Sequence, residues 1–190
     1  VPSTPNMPPP VEPFMAMALA LAERARLICP PNPAVGCVLV DADGQVIGQG
    51  HTQATGQAHA EVMALRDAQA RGRVTAGATA YVTLEPCAHH GRTGPCADAL
   101  IAAGVRKVVA SLQDPNPRVA GQGLERLRAA GIEVEVGAGA EASRELNVGF
   151  FSRMTRQRPW VRRKVAASLE GRIALPNGTS QWSRPPAARD

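Results

Sequence analysis

The order of apolar and polar residues predicts a helix followed by a β-hairpin near the start of the chain. Residues 14–28 place Met, Ala and Leu on one helical stripe that ends before Pro30. An apolar run at residues 35–41, a turn that contains glycine, and a second run at residues 46–51 then predict two paired strands.

The alternation of helices and strands continues beyond this hairpin. Helical periodicity and terminal glycines predict three further helices, over residues 59–71, 97–103 and 121–130. Apolar composition predicts three further strands, over residues 79–84, 105–112 and 132–136. Because such alternation builds sheets that are covered on both faces, we expect a three-layer α/β/α sandwich around a mixed sheet.

Both ends of the chain depart from this alternation. Six prolines among the first thirteen residues predict a flexible tail over residues 1–13. Residues 14–149 form the predicted main domain, and residues 150–159 form a predicted connection to the C-terminal segment. A new apolar strand pattern begins at residue 160, but about thirty residues cannot close a core of their own. We therefore expect residues 160–190 to begin a second domain that is incomplete.

Composition argues against two classes of protein. Nineteen arginines and two lysines face sixteen acidic residues and give a net charge of +5, which also suits a small phosphorylated substrate. Aromatic residues make up 3% of the chain, too few for the stacking surface of a nucleic-acid binder. No stretch reaches the roughly 18 consecutive apolar residues of a membrane span, and no basic leader precedes residues 14–21. We expect a soluble cytoplasmic protein without nucleic-acid or membrane partners.

Three short motifs together predict a metal site. His59 opens a predicted helix, Cys87 follows a predicted strand, and Cys96 opens the next helix. Two thiolates and one imidazole are the ligand set of catalytic zinc sites, which leave the fourth position for water, whereas structural sites have four protein ligands. Partial positive charge at helix N-termini further favours thiolates there.

Glu61 adds a proton carrier to this predicted zinc site. It lies two residues after His59, close enough to exchange a proton with water at the metal. A His-x-Glu motif followed by Pro-Cys-x-x-Cys is the signature of zinc deaminases. Here eight residues separate Cys87 from Cys96, so the second half of that signature is longer.

The longer motif points to one family. Residues 83–96 read Thr-Leu-Glu-Pro-Cys-Ala-His-His-Gly-Arg-Thr-Gly-Pro-Cys, which closely resembles the deaminase domain of the bifunctional deaminase–reductases of riboflavin biosynthesis. Residues 32–36 and 114–121 match two further signatures, and the resemblance covers residues 14–183. It implies a cytidine-deaminase-like fold and deamination of 2,5-diamino-6-ribosylamino-4(3H)-pyrimidinone 5′-phosphate.

The resemblance also assigns residues to this reaction. It implies one zinc ion on His59, Cys87 and Cys96, and proton transfer by Glu61. It further implies that three residues hold the ribose, base or phosphate of the substrate: Asn32, His89 and Arg92. A guanidinium can bind phosphate through two hydrogen bonds, which suits the last of these.

Two positions depart from the family pattern. The family often has a His seven residues before the zinc-binding His, where this chain has Thr52 with His51 beside it. Gly94 stands where the family usually has a proline, which should loosen the loop without affecting a metal ligand.

The C-terminal residues resemble the start of the family's dihydrofolate-reductase-like reductase domain. Residues 164–172 match its first strand and turn, with Glu170 in place of the common Asp. The resemblance places Ala166 and Trp182 against NADPH and Ser180 against the substrate. Because that cofactor site needs a complete sheet, we expect NADPH binding and reduction only in a full-length form.

Two other functions stay open from the residues. A nucleoside or transfer-RNA deaminase of the same superfamily would share the zinc motif, but the eight-residue gap and Arg92 oppose it. A non-catalytic zinc-binding nucleic-acid module would suit the basic charge, but it has no use for Glu61 beside an open metal site. We expect a small phosphorylated pyrimidine as substrate and a homo-oligomeric assembly.

Overall fold

The computed structural model describes residues 12–89, 94–117 and 119–179, in two compact units that divide between Pro159 and Trp160. In the first unit, helices and strands alternate in the following order: α1 (Pro13–Ala25), β1 (Gly36–Val40), β2 (Val46–His51), α2 (Ala60–Ala70), β3 (Thr79–Val82), α3 (Cys96–Ala102), β4 (Lys107–Ala110), α4 (Gln122–Ala129), β5 (Glu133–Val136), α5 (Ala140–Leu146) and α6 (Val148–Arg156).

The five strands form one mixed sheet in the order β2-β1-β3-β4-β5. Strand β1 pairs antiparallel with both β2 and β3, and β3, β4 and β5 run parallel to one another. Helices α3 and α4 supply the crossovers that parallel neighbours require. The predicted hairpin, the mixed sheet and the strands and helices up to residue 136 are confirmed, with ends shifted by a few residues.

Helices cover both faces of this sheet. Met15, Ala18 and Leu21 of α1 pack with Val38 and Val40 of β1 on one face. On the other face, the alanines of α2 join a larger core with alternate β1 residues and with apolar side chains of α3 and α4. All five β1 residues are buried, as expected of a central strand that is covered on both sides. The three-layer sandwich is therefore confirmed.

Glycines on β2 let α2 approach the sheet at backbone distance. A Cβ atom on Gly50 would lie 2.5 Å from the backbone nitrogen of Ala64, and one on Gly48 would lie 2.3 Å from its carbonyl oxygen. A real side chain does not fit at such distances. Because α2 begins directly after His59, this contact also fixes the position of that residue.

Helices α5 and α6 were not predicted. Helix α6 occupies most of residues 150–159, the segment predicted as a connection, and its role between two domains stays a prediction. Helices of this length are marginal on their own, and these two are held by tertiary contacts. Ser143 donates a hydrogen bond to the carbonyl of Thr83, and Asn147 bonds the backbone of Ala34.

The strand predicted from residue 160 is not formed in the part of the second unit that the structure describes. Residues 161–168 have no regular secondary structure, and a turn comes next, in which the backbone N–H of Ser168 donates to the carbonyl of Arg172 at 2.9 Å. A strand needs a neighbouring strand to pair its backbone groups, and the described residues 160–179 contain no strand. Ala166 is half-buried there, whereas Leu169 is fully exposed.

Several predictions fall outside the described residues: the tail up to residue 11, Arg92, Ser180 and Trp182. The assignment of residues 160–190 to the start of a reductase domain stays a prediction. Across the residues the structure describes, no helix combines the length and apolar character needed to cross a bilayer.

Candidate metal centre and pocket

The three predicted metal ligands come from three different places in the fold and meet at one point. His59 precedes the first residue of α2 in an extended conformation, and Cys96 is the first residue of α3. Cys87 lies in the loop after β3. The backbone N–H of Cys96 donates to the Sγ atom of Cys87 at 3.4 Å, so a backbone amide at the start of α3 stabilises negative charge on that sulfur.

The distances between these side chains fit a zinc ion. Nδ1 of His59 lies 3.3 Å from Sγ of Cys96 and 3.6 Å from Sγ of Cys87. All three ligating atoms lie within 4.8 Å of one another. Tetrahedral zinc with ordinary Zn–N and Zn–S lengths separates nitrogen from sulfur by about 3.6 Å. The donor set and its spacing therefore suit zinc, with one coordination position left for a further ligand.

The two thiols are electrostatically unequal. The pKa of Cys87 is lowered to about 4, because the Cys96 thiol donates a hydrogen bond to it and His59 lies beside it. The pKa of Cys96 is raised, because that thiol is the donor and is buried. The pKa of His59 is also raised by its hydrogen bond to Cys87. A divalent cation that binds two thiolates and an imidazole would displace the protons that these groups hold.

Glu61 lies in the first turn of α2 and is only 3% exposed. Burial, followed by the negative charge on Cys87, raises the pKa of its carboxyl group to about 7. A carboxyl group with such a pKa can both accept and return a proton near neutral pH. The residue is thus suited to the proton transfer that its sequence motif predicts.

A cavity of about 460 Å³ brings most of the predicted site together. His59, Glu61 and Cys87 line it, and so do two of the predicted substrate ligands, Asn32 and His89. Cys96 lies in the first turn of α3, completes the group of three metal ligands and is fully buried. The third predicted substrate ligand lies outside the described residues. The structure therefore joins Asn32 and His89 to the metal group in one pocket.

The position at which the family has a histidine also faces this pocket. Thr52 is among the lining residues, and its buried Oγ1 accepts a hydrogen bond from the backbone N–H of Val35 at 3.2 Å. His51 is instead held by its neighbours, with Nδ1 at 3.1 Å from the carbonyl of Thr52 and 3.2 Å from Nε2 of Gln53. Thr52 thus lines the pocket, whereas His51 is not among the described lining residues.

The sequence analysis gave no role to four residues that line the pocket, although the motifs at residues 83–96 and 114–121 contain the first three: Glu85, Asp114, Asn116 and Arg153. The first three follow β3 and β4, and the carboxyl ends of parallel strands meet at one edge of a sheet. This topology, together with the motifs at residues 83–96 and 114–121, could have indicated that these three residues meet. In the sequence, Arg153 is the first of six basic residues between positions 153 and 164, and no other sequence feature distinguishes it. It donates a 2.6 Å hydrogen bond to the carbonyl of Pro31 and adds positive charge to the rim.

Comparisons with known proteins show which family this chain resembles. The sequence profile of the cytidine and deoxycytidylate deaminase zinc-binding region matches residues 10–112. The riboflavin biosynthesis protein RibD of Escherichia coli K12 is 56% identical over 176 residues, which cover 93% of this chain and 47% of that protein.

Solved structures show the same relationship. The structure of Acinetobacter baumannii RibD is 52% identical, with a TM-score of 0.84 over 93% of this chain and 48% of that chain. A Thermotoga maritima diaminohydroxyphosphoribosylaminopyrimidine deaminase/5-amino-6-(5-phosphoribosylamino)uracil reductase is 42% identical, with a TM-score of 0.86 over 91% of this chain and 49% of that chain. The chain thus spans about half the length of the relatives it matches. The family resemblance and the deaminase fold are confirmed.

Proposed function

Because the chain belongs to the family defined by the cytidine and deoxycytidylate deaminase zinc-binding region, we propose that it is a zinc-dependent hydrolytic deaminase. The observation that carries this proposal is that two members of the metal group, His59 and Cys87, line one pocket with the buried carboxylate of Glu61. A purely structural metal site has no need for an acid–base residue at its side.

The metal ligands have a defined task in this proposal. His59, Cys87 and Cys96 would hold one zinc ion, which, when bound, supplies the Lewis acidity that lowers the pKa of water to about 7. Two thiolates and a neutral imidazole suit zinc in both charge and softness. The chain supplies them from the starts of two helices and one loop, which the sheet holds in place.

Glu61 would move the protons of the reaction. Hydrolytic deamination adds water to the ring carbon that carries the amino group and releases that group as ammonia. A carboxylate oxygen of Glu61 would accept a proton from the attacking water and pass it to the ring nitrogen. A second proton, carried in the same way, would reach the departing nitrogen. Burial in the pocket keeps this carboxyl group away from bulk solvent.

We propose 2,5-diamino-6-ribosylamino-4(3H)-pyrimidinone 5′-phosphate as the substrate. The names of the similar Thermotoga maritima and Escherichia coli proteins support a phosphoribosylaminopyrimidine of riboflavin biosynthesis. Asn32 and His89 offer hydrogen bonds to its polar groups from the pocket wall. Arg92 would bind the phosphate, and the charge of Arg153 at the rim favours an anionic ligand.

In this proposal, a longer form of the protein that contains a complete reductase sheet reduces the ribosyl chain. Ala166, Ser180 and Trp182 would contact NADPH or substrate only where the rest of a reductase sheet is present. We expect no reductase activity from residues 160–190 alone.

Ammonia release from the diaminopyrimidine phosphate, with zinc measured on the same preparation, tests the proposal. We expect one zinc per chain and turnover that exceeds turnover of cytidine, deoxycytidylate and a transfer RNA. Faster turnover of any of those three would refute the proposed substrate. Absence of ammonia release by zinc-loaded protein from all four would refute the deaminase itself.

A further inference from the structure

Glu85 has a buried carboxylate for which the proposed chemistry has no direct use. It lies two residues before Cys87 and is 6% exposed. Its Oε2 atom accepts hydrogen bonds from the backbone N–H groups of Asp114 and Gly121, both at 2.9 Å. Its Oε1 atom accepts from Gly123 at 2.8 Å and from Leu124 at 3.4 Å. The carboxylate therefore bonds four backbone donors, about its full acceptor capacity.

All four donors belong to one segment of the chain. The described residues 114–117 and 119–124 run from the loop after β4 into the first turn of α4. Asp114, Asn116 and Val119 of this segment line the metal pocket. A helix N-terminus favours a negative charge, and burial of a carboxylate without such donors would be costly. The bonds of Glu85 therefore join the loop that carries Cys87 to another wall of the pocket.

Backbone contacts confirm how closely these two parts approach. A Cβ atom on Gly123 would lie 1.8 Å from the carbonyl oxygen of Pro86, so only glycine fits there. The backbone N–H of Glu85 also donates to the carbonyl of Leu112 at 2.8 Å. Pro86 directly precedes Cys87, and Leu112 lies two residues before Asp114. The distance between the loop that carries Cys87 and the pocket wall is therefore set by contacts at several positions.

We infer that Glu85 is a positioning residue of the deaminase site, which holds residues 114–117 and 119–121 at a fixed distance from the loop that carries Cys87. The inference rests on the proposed function. Among the described residues, the donors to its carboxylate are backbone N–H groups, so we expect it to act on the substrate through the wall that it positions. Loss of this carboxylate should therefore weaken substrate binding more than it slows the chemical step, because Glu61 lies on α2.

Glu85→Gln tests this role at nearly constant size. An amide has one oxygen, so two of the four backbone donors would face an NH₂ group instead of an acceptor. We expect the KM for the diaminopyrimidine phosphate to rise roughly tenfold or more, with kcat within about threefold and one zinc per chain retained. Glu85→Asp keeps the charge on a shorter side chain and should recover part of the loss.

Glu125→Gln is the matched control. Glu125 is exposed and lies in the first turn of the same helix, so its change removes a similar charge from the same N-terminus. We expect kinetic constants close to those of the unaltered chain. A Glu85→Gln protein with unchanged KM, a KM change equalled by Glu125→Gln, or loss of zinc would each overturn the inference.

Hydrogen–deuterium exchange gives a readout that needs neither turnover nor a variant. In the unaltered chain, the backbone amides of Asp114, Gly121, Gly123 and Leu124 should exchange as slowly as amides of β4. Fast exchange of all four would overturn the inference even if the variants failed to fold. Failure of the proposed function would be seen separately, as absence of ammonia release by the unaltered chain.

Discussion

Asn147 pairs with the backbone of Ala34 across 113 positions of the chain. Its Oδ1 atom accepts from the N–H of Ala34 at 2.8 Å, and its Nδ2 atom donates to the carbonyl of the same residue at 2.9 Å. Asn147 is 5% exposed and stands between α5 and α6. The pair therefore ties the two unpredicted helices to the segment that carries Asn32 into the pocket.

Asn147→Ala should lower the free energy of unfolding by about 2–4 kcal/mol, because two buried backbone groups would lose their partners. Chemical denaturation monitored by circular dichroism would measure the change. Glu141→Gln, an exposed change at the start of α5, should shift the unfolding free energy by less than about 0.5 kcal/mol. Equal stability of the alanine variant and the unaltered chain would contradict the prediction.

Gly50→Ala should destabilise the fold strongly, because its Cβ atom would lie 2.5 Å from backbone of α2. We expect a loss of at least about 2 kcal/mol, from overpacking against a helix that cannot yield locally. Gly149→Ala is the control within α6, where nothing lies near the added carbon and alanine favours the helix by up to about 1 kcal/mol. Thermal unfolding of the two variants should move in opposite directions.

Local patterns account for the part of the fold that the sequence predicted. The hairpin of β1 and β2 and the helix after His59 follow from apolar periodicity and turn residues within about fifteen positions. Helices α5 and α6 depend on Ser143 and Asn147, whose partners lie 60 and 113 residues away. No local pattern encodes those bonds.

The candidate site also contains both residues that local motifs predict and residues that only the fold brings together. Sequence motifs selected His59, Glu61, Cys87 and Cys96, because metal ligands and their acid–base partner must be of particular residue types. The positioning role of Glu85 could not be predicted from sequence, because its backbone partners after β4 come close to it only when β3 and β4 pair in the sheet. The strand predicted at residues 160–169 is not formed for a related reason, because an apolar run forms a strand only beside a neighbouring strand.

Cys96→Ser should abolish tight zinc binding, because a hydroxyl is a poor replacement for a thiolate in this donor set. Zinc per chain, measured on protein purified without chelators, should fall from about one to near zero. Cys29→Ser is the control, since the Cys29 thiol donates to the carbonyl of Asn32 at 3.3 Å and a hydroxyl can do the same. That variant should keep its zinc. Full zinc content in Cys96→Ser would exclude Cys96 as a ligand.

Glu61→Gln should retain zinc and fold but lose nearly all deaminase turnover. The amide has the same shape but cannot accept a proton from water, and acid–base catalysis contributes about 10²–10⁴-fold. Initial rates of ammonia release, normalised to bound zinc, measure the effect. A variant that keeps more than a tenth of the normal rate would show that Glu61 is not the proton carrier.

Substitutions of Arg92 separate phosphate recognition from a role in ordering the loop between Cys87 and Cys96. If Arg92 binds the 5′-phosphate, Arg92→Ala should lower kcat/KM for the phosphorylated substrate roughly 10- to 150-fold and leave the dephosphorylated analogue almost unchanged. Arg92→Lys should recover only part of the loss, because an ammonium cannot form the two parallel hydrogen bonds of a guanidinium.

Arg128→Ala removes an exposed charge from α4 and controls for the change in net charge. It should affect neither substrate, because a single exposed charge at a distance is screened by salt. If Arg92 only orders the loop, Arg92→Ala should impair both substrates equally and reduce zinc content, since both cysteines border that loop. Equal losses on the two substrates would therefore exclude Arg92 as the phosphate ligand and leave Arg153, the arginine among the described lining residues, as a candidate.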